Sequence, residues 1–394
     1  MKICFISRFY KPHVRGGAEI YVGRIAENLV ERGHEVIVIT PAPGKENYID
    51  HINNVRVYRI FPFNLSTAYD ARELTLFRKL IYHLLDTFNL DAYIKIKNIL
   101  KKERPDLVHI NNYKGLSASV FKAVKDLKIP LVFTAHDFCP VCVRTNLLNS
   151  KGNICKNPRF ICKIYKRLQK ASINGKPDLC TAPSQFLIDE LRANGFFNDN
   201  MLLLRNPVES LSKRIKKTYD KIDFLYVGAL SKHKGTDVLI RAFRELENDN
   251  IRLHIVGRGP DENKLKALHG DDERIIFHGF LEGEELSGMY GKANVTVVPS
   301  VWYENSPMVV YESFAHSTPV IGSDIGGIPE LVSEGCNGFL FEPGDKDELK
   351  GVLKRLLEDP SILKEFERNA YESAKKYTIK EHLDKLERIY RGLL

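Results

Sequence analysis

The 394-residue chain lacks the features that mark a membrane-spanning, secreted or disulfide-rich protein. It has seven cysteines and a single tryptophan, and no apolar run reaches the roughly 18 residues that a spanning helix needs. The opening residues, MKICFISRFY, contain an apolar stretch that is too short for a secretory signal and is typical of a first β-strand. We therefore expect a cytoplasmic protein whose cysteines stay reduced.

Two common nucleotide-binding motifs are also missing. The sequence has no GxxxxGK(S/T) loop, and no GxGxxG follows a predicted strand. Their absence argues against a P-loop nucleotide hydrolase and against an ordinary dinucleotide-dependent dehydrogenase.

Acidic residues are scarce in the first half of the chain. Residues 1–195 contain 31 Lys and Arg against 17 Asp and Glu, whereas residues 196–394 contain 28 against 33. The asymmetry predicts that the first half faces an anionic partner, although an ordinary solvated basic surface gives the same count. The basic residues are scattered without an aromatic-lined array, so we expect no nucleic acid.

Short apolar strands alternate with helical segments along both halves of the chain. In the first half KICFIS, HEVIVITP, DLVHIN and PLVFTAHD are strand-like, and in the second half DFLYVGAL, LHIVGRG, RIIFHGF, NVTVVPS and TPVIGSD are strand-like. Strands rich in Val and Ile that alternate with helices indicate parallel sheets covered on both faces. The fold class predicted is α/β, with two doubly wound Rossmann-like domains.

The domain boundaries follow from where this pattern restarts. We predict a first domain over residues 1–208 with a cysteine-rich insertion at 139–162, a second domain over 209–376, and a final helix over 377–394. The polar and basic stretch Leu211–Lys221 is the predicted linker.

Unusual residues follow the carboxyl ends of several predicted strands, where open α/β sheets bind ligands. They are Gly16 and Gly17, His136, Gly228 to Lys234, Arg258 and Glu304. Two such sheets that face each other would gather these residues along one crevice.

The stretch YENSPMVVYE, residues 303–312, combines an anion site with two carboxylates. Ser306 can cap a helix whose first position is Pro307, which leaves the next backbone amides free to bind a phosphate. Lys234 can add a full positive charge, while Glu304 and Glu312 can accept hydrogen bonds from hydroxyls. A ligand with phosphate in its middle and hydroxyl-bearing rings at both ends is a sugar nucleotide.

Two other interpretations of the glutamate pair remain open. A glycosidase pair needs carboxyls about 5–9.5 Å apart, whereas eight residues of helix span roughly 12 Å, so that fit is poor. Alternatively, both are surface glutamates favoured by the helix dipole.

The segment PSVWYENSPMVVYESFAHSTPVIGSDIGGIPELV, with GGAE, VFTAHDF and VGALSKHKGTDVLIRAF, resembles glycosyltransferase family 4, of the "glycosyl transferases group 1" type. The resemblance covers nearly the whole chain. It implies the GT-B fold, in which two Rossmann-like domains face each other across a cleft and the last helix crosses back to the first domain. It also implies sugar transfer with retention at the anomeric carbon.

The resemblance implies roles for individual residues. His136, Lys234 and Glu304 would form the catalytic set: Lys234 would bind the diphosphate, Glu304 the hydroxyls of the donor sugar, and His136 would position groups near that sugar. Glu312 would bind the ribose. The other donor-binding residues would be Gly16, Gly17, Arg258, Asn305, Ser306, Pro307, Met308 and Val309. The departing phosphate would take the proton of the acceptor, so no cofactor is expected for catalysis.

One position departs from the family pattern. The family has an arginine where this chain has Ala229, so one positive charge near the diphosphate is missing. Arg258 or Lys232 is a candidate to replace it.

Four cysteines lie close together in the sequence with the spacing C-x2-C-x12-C-x6-C, at Cys139, Cys142, Cys155 and Cys162. This spacing is compatible with a structural zinc site, with disulfides or with free thiols. A zinc ion here would order the loop beside His136 without taking part in catalysis.

The segment from Arg72 to Arg104 mixes apolar residues with Arg78, Lys79, Lys95, Lys97, Lys101 and Lys102. Such a segment can lie on an anionic membrane, and a pair of ordinary core-facing helices gives the same pattern.

The resemblance and these observations predict a cytoplasmic hexosyltransferase of surface polysaccharide or glycoconjugate synthesis. Peripheral attachment to the inner face of the membrane is a further expectation. Its donor would be a UDP-, GDP- or ADP-sugar and its acceptor a glycan, glycolipid, phosphosugar or lipid-linked sugar. The alternatives are a soluble glucan or disaccharide synthase of the same fold and a catalytically inactive sugar-nucleotide-binding protein.

Overall fold

The computed structural model describes residues 1–71, 73–149, 151–198, 200–212 and 217–394. The first residue of the predicted membrane segment, Arg72, and residues 213–216 of the predicted linker lie outside these ranges. The chain divides into two compact units, each described separately below. The first contains Met1–Leu147, Lys156–Arg205 and His382–Leu394, and the second contains Leu148–Cys155 and Asn206–Glu381.

The first unit is an α/β domain built on one mixed sheet. Its strands are β1 (Lys2–Ile6), β2 (Glu35–Pro41), β3 (Tyr48–Ile52), β4 (Val55–Ile60), β5 (Leu107–Ile110), β6 (Leu131–Thr134), β7 (Leu179–Ala182) and β8 (Met201–Leu203). Its helices are α1 (Gly17–Glu31), α2 (Leu76–Thr87), α3 (Leu90–Glu103), α4 (Ser119–Lys125), α5 (Phe160–Ile173) and α6 (Gln185–Ala193).

The strands of the first unit lie in the order β3-β4-β2-β1-β5-β6-β7-β8. Neighbouring strands are parallel except at one edge, where β3 pairs antiparallel with β4. Asn53 and Asn54 join that hairpin with φ angles of 48° and 63°, a left-handed conformation that asparagine tolerates and that a two-residue hairpin turn requires. The predicted parallel sheet is confirmed, and it carries one antiparallel edge strand that the sequence analysis did not identify.

The second unit has a fully parallel sheet in the order β11-β10-β9-β12-β13-β14. Its strands are β9 (Ile222–Val227), β10 (Ile251–Val256), β11 (Ile275–Gly279), β12 (Val295–Val298), β13 (Val320–Ser323) and β14 (Gly338–Phe341). Its helices are α7 (Thr236–Arg244), α8 (Glu262–His269), α9 (Gly283–Lys292), α10 (Met308–Ala315), α11 (Lys346–Glu358) and α12 (Ser361–Ala374).

The second sheet is covered on both faces, as its continuous apolar strands predict. One cluster joins Phe224 and Ile255 of the sheet to Leu239 of α7 and Leu353 of α11. A second cluster packs α10 and α12 around Phe314. Because helices cover both faces, the strand ends and the loops that follow them are left to carry polar side chains.

The last helix, α13 (Ile379–Arg391), belongs to the first unit from His382 onward. The hydroxyl of Tyr390 lies 2.6 Å from Nδ1 of the buried His109, and the hydroxyl of Tyr21 lies 2.9 Å from Nε2 of His382. Buried polar groups that are hydrogen-bonded in this way fix the position of a helix more narrowly than apolar contacts alone.

We predict that acid destabilises the first unit through its buried histidines. Burial lowers the pKa of His136 to about 3, that of His382 to about 4, and that of His109 well below its ordinary value. Below about pH 6.5 the unfolded chain therefore binds protons that the folded chain does not, and the free energy of unfolding falls by roughly 1.4 kcal/mol per pH unit for each histidine.

Urea unfolding at pH 7.5, 6 and 5 measures this loss, and His382→Gln should remove one histidine's share of the slope. His51→Gln is the matched control, since His51 is exposed on β3. An unchanged slope in the His382 variant would contradict the assignment.

Candidate active site

Glu304 lies in the loop that follows β12 and is only 8% exposed. Its Oε1 atom accepts hydrogen bonds from Nζ of Lys234 at 2.6 Å, Oγ of Ser300 at 2.7 Å and Nε1 of Trp302 at 3.0 Å. Three donors on one oxygen hold the carboxylate in a fixed direction.

The surroundings of Glu304 keep its carboxylate ionised. Burial raises the pKa of Glu304, but the charge of Lys234 and the hydrogen bonds from Lys234, Ser300 and Trp302 outweigh burial and leave that pKa below its ordinary value. An ionised carboxylate accepts hydrogen bonds and cannot serve as a proton donor. Glu304 is therefore suited to hold hydroxyls or to face a developing positive charge.

Lys234 ends a short 3-10 turn, Lys232–Lys234, between β9 and α7. Gly235 follows with φ of +68°, and a Cβ atom at this position would lie 1.8 Å from the backbone oxygen of Pro299. Only glycine allows the two loops to approach so closely. Their contact brings Nζ of Lys234 to 5.3 Å from the ring centre of Trp302 and to hydrogen-bonding distance of Glu304.

Ser300, Trp302 and Gly326 were not identified from the sequence as parts of this site. Gly326 has φ of +64°, and a Cβ there would lie 2.3 Å from the backbone oxygen of Glu304; the next amide, of Gly327, donates to that same oxygen at 2.6 Å. Two features of the sequence could have pointed to these residues. One is the Gly-Gly pair after β13, and the other is the single tryptophan of the chain, two residues before Glu304.

The start of α10 differs from the prediction. The helix begins at Met308, and Pro307 flanks it with φ −68° and ψ 122°, so Pro307 does not occupy the first helical position. Ser306 is not the cap, because its hydroxyl pairs with the hydroxyl of Tyr311 at 2.6 Å. The amides of Met308 and Val309 still lie in the first turn, whose N–H groups have no partner within a helix.

Glu312 lies on α10 and makes contacts separate from those of Glu304. The hydroxyl of Tyr290 donates to its Oε2 at 3.2 Å, and the ring of Tyr290 stacks on His316 with centroids 5.4 Å apart. The half-buried Asn305 lies in the loop between the two glutamates. The two carboxylates are thus held by different groups, which fits two binding roles better than a paired acid and base.

Arg258 is one candidate for the positive charge that the resemblance leads us to expect at Ala229. The amide of Leu230 donates to the backbone oxygen of Arg258 at 3.0 Å, and Cβ atoms at Gly257 or Gly259 would lie 1.9 and 2.2 Å from the backbone oxygens of Gly228 and Leu230. The loop that carries Ala229 and the loop that carries Arg258 therefore touch through their backbones. The side chains of Arg258 and Lys232 are both exposed.

The first unit holds the remaining predicted residues. Gly16 caps α1 in an extended conformation, with φ −167°, and Gly17 is the first residue of the helix. His136 follows β6, with Nε2 2.9 Å from Oδ1 of Asn111 and its ring centre 4.8 Å from that of Tyr21. Because its pKa is about 3, His136 is neutral at pH 7 and can position a group without adding charge.

Family profiles match both units of the chain. The profile of Glycosyltransferase Family 4 matches residues 15–210, and that of Glycosyl transferases group 1 matches residues 208–375. The chain belongs to the family 4 glycosyltransferases, of the GT-B fold. The residues matched by the second profile include Lys234, Glu304 and helix α10 of this glycosyltransferase.

Several known proteins resemble this glycosyltransferase along almost its full length. An uncharacterised glycosyltransferase of Methanocaldococcus jannaschii is 28% identical over 91% of this chain and 90% of its own. Sucrose-phosphate synthase from Thermosynechococcus elongatus superposes with a TM-score of 0.78 at 22% identity, covering 100% of this chain and 98% of that one. Anabaena HepE in complex with UDP-glucose has a TM-score of 0.73 at 20% identity and full coverage of both chains.

The cysteines of this glycosyltransferase do not form the predicted metal site in the part of the chain that the structure describes. No group of three or more His, Cys, Asp or Glu side chains is placed there to hold a metal ion, and Cys139, Cys142, Cys155 and Cys162 are free thiols. Burial raises the pKa of Cys139 well above its ordinary value, so this thiol is protonated at pH 7.

We predict that Gly326→Ala impairs sugar transfer far more than it impairs folding. The added methyl group would displace the backbone of Glu304, and a misplacement of about 1 Å at a reacting centre can cost roughly 100-fold in rate. Steady-state kcat/KM and thermal unfolding measure the two effects. Gly335→Ala is the control, since Gly335 has a similar φ of +69° with no atom near its added Cβ. Equal losses in both variants would show that backbone strain alone is responsible.

Proposed function

We propose that this glycosyltransferase moves a sugar from a nucleoside-diphosphate sugar to an acceptor hydroxyl with retention at the anomeric carbon. The observation that carries the proposal is the Lys234–Glu304 pair in the loops before α7 and α10. Its Nζ and Oε1 atoms are 2.6 Å apart, and both side chains are largely buried. The pair thus holds a cation that can bind the diphosphate beside a carboxylate that can accept hydrogen bonds from the sugar hydroxyls.

In the proposed reaction, Lys234 and the first turn of α10 stabilise the departing diphosphate. The ammonium group of Lys234 and the amides of Met308 and Val309 would bind its phosphate oxygens as negative charge develops on them. Donor phosphate would share or replace the present contact between Lys234 and Glu304. No metal is needed in this scheme, because the protein itself supplies the positive charge.

Glu304 would bind hydroxyls of the donor sugar and face the positive charge that develops at the anomeric carbon. Its ionised state suits both roles and excludes that of a proton donor. The departing phosphate would then take the proton of the acceptor hydroxyl, while the neutral His136 would position the reacting sugar. Glu312, oriented by Tyr290, would accept hydrogen bonds from the ribose hydroxyls. The other donor-binding residues proposed are Gly16, Gly17, Asn305, Ser306 and Pro307.

We further propose a UDP-, GDP- or ADP-sugar as donor and an anionic or lipid-linked glycan or phosphosugar as acceptor. The structural similarity to HepE in complex with UDP-glucose supports a nucleotide sugar, and the excess of basic residues in 1–195 supports an acceptor that carries negative charge.

The proposal predicts that Lys234→Ala and Glu304→Gln each lower kcat/KM by about 100- to 1,000-fold, the effect of removing one charge-stabilising group. The donor is first identified by thermal shift with UDP-, GDP- and ADP-sugars. Release of nucleoside diphosphate then gives the rate, and NMR of the product gives its anomeric configuration.

Lys354→Ala is the control, since Lys354 is an exposed lysine on α11. Full activity in both site variants would overturn the site assignment, and an inverted product would overturn the mechanism. Binding of a sugar nucleotide without transfer to any acceptor tested would favour the inactive binding protein.

The position of Arg258 generates a separate prediction. If Arg258 supplies the charge that Ala229 lacks, Arg258→Ala should raise the KM for the donor by about tenfold or more, the effect of losing one charged hydrogen bond. The double variant Arg258→Ala with Ala229→Arg should recover most of that loss. A single Arg258→Ala variant with an unchanged KM would show that Arg258 does not take this role.

A further inference from the structure

Helix α5 exposes most of its large apolar side chains on the surface of the first unit. Phe160, Ile161, Ile164 and Leu168 are exposed, Phe160 by 78%. The residues that face inward are Tyr165, Gln169 and Ile173. A surface helix of a globular protein normally shows the opposite arrangement, with its apolar stripe on the core.

Helix α2 has the same inverted arrangement. Phe77, Leu80 and Leu84 of α2 are exposed, as is Phe88 directly after it. Phe77 is exposed by 72%, while Tyr82 and Asp86 are buried. Helix α2 packs against α5, so the two exposed apolar stripes belong to neighbouring helices. We call the exposed apolar residues of both helices the α2–α5 face.

Hydrogen bonds on the inner side prevent either helix from rotating to bury its apolar stripe. The hydroxyl of Tyr165 donates to the backbone oxygen of Cys139 at 2.8 Å, and Gln169 accepts from the hydroxyl of Tyr113 at 2.8 Å. On α2, Asp86 accepts from the amide of Gly115 at 2.8 Å. Rotation would leave these buried groups unsatisfied, which costs about 1–3 kcal/mol each.

Helix α3 does not share this feature, although the predicted membrane segment included it. Ala92, Ile96 and Leu100 are buried, whereas Leu90 and Ile94 are exposed. Lys95 and Lys97 pair with Asp91 and Asp126. The membrane interpretation of α3 stays a prediction, and the buried stripe fits the alternative of a core-facing helix.

The charges around the α2–α5 face are basic. Within α5 the sequence has four Lys and Arg and no Asp or Glu, and α2 has Arg78 and Lys79 with the buried Asp86. Lys163, Arg167 and Lys170 are exposed on α5, and Arg78 is exposed on α2. Exposed apolar stripes flanked by basic side chains match a bilayer surface with anionic headgroups, into which the apolar residues insert while the cations stay at headgroup level.

We propose that the α2–α5 face docks this protein on an anionic lipid bilayer, with both helices lying in the plane of the interface. No helix in the described part of the chain is both long and apolar enough to cross a bilayer, so contact through this face is interfacial. The proposal depends on neither the donor nor the stereochemistry of transfer.

The test is sedimentation of the full chain with vesicles of phosphatidylcholine alone or mixed equally with phosphatidylglycerol. We expect binding only to the mixed vesicles at low salt, with weaker binding as salt rises. Ile164→Ser with Leu168→Ser should weaken binding by about tenfold or more. Lys163→Gln with Arg167→Gln should weaken it by about 25-fold, from roughly fivefold per charge.

Two controls match these variants. Ile49→Ser changes a comparably exposed isoleucine on β3, and Lys354→Gln with Arg368→Gln removes two exposed charges from the second unit. Neither should alter vesicle binding. Thermal unfolding checks that the Ile164 and Leu168 variant stays folded at the assay temperature, since these side chains are only 42% and 41% exposed. The Lys163 and Arg167 variant tests the same face without loss of apolar packing.

Three results would overturn the proposal. The first is no binding of the wild-type chain to mixed vesicles at low salt. The second is full binding by the Ile164 and Leu168 variant, which would show adsorption by charge alone. The third is self-association of the wild-type chain in solution, without vesicle binding, that the same variant abolishes; the face would then be an interface between two copies.

Discussion

The ion pair between Lys234 and Glu304 is the constraint on which the proposed donor site depends. A carboxylate as buried as Glu304 is costly unless it is paired and fully hydrogen-bonded, and removing one partner of such a pair typically costs about 3–5 kcal/mol. Lys234, Ser300 and Trp302 together meet that requirement. A ligand that draws Lys234 away must therefore give Glu304 new donors in exchange. A sugar nucleotide can do so because it carries hydroxyls beside its phosphates.

The pair is positioned by backbone packing more than by side chains. Gly235, Gly257, Gly259 and Gly326 each lie where a Cβ atom would come within 2.3 Å of a backbone oxygen in another loop. The loops that carry Lys234, Arg258 and Glu304 are thus in contact through their main chains. Side chains in these loops can therefore change without moving the groups that would hold phosphate. For this reason the backbone contacts do not predict which base or sugar is bound.

The alternation of strands with helices and the placement of Lys234 and Glu304 in loops after strands were predictable, because apolar runs of Val and Ile mark buried parallel strands and ligand-binding loops follow their carboxyl ends. The β3–β4 hairpin was missed because its turn uses Asn53 and Asn54 in left-handed conformations, a weaker signal than Asn-Gly. The cap at Ser306 was wrong because Tyr311, five residues on, binds the same hydroxyl. The orientation of α2 and α5 could not be predicted, since periodicity defines an apolar stripe without saying which side faces the core.

Trp302 also determines the tryptophan fluorescence of this protein. It is the only tryptophan in the chain, and its indole N–H donates to the carboxylate that the substrate is proposed to engage. Its ring also lies near the ammonium group of Lys234 and against His233, 4.7 Å from that imidazole. The tryptophan fluorescence of this protein therefore comes from one position, and its intensity and emission wavelength depend on the charges around Glu304.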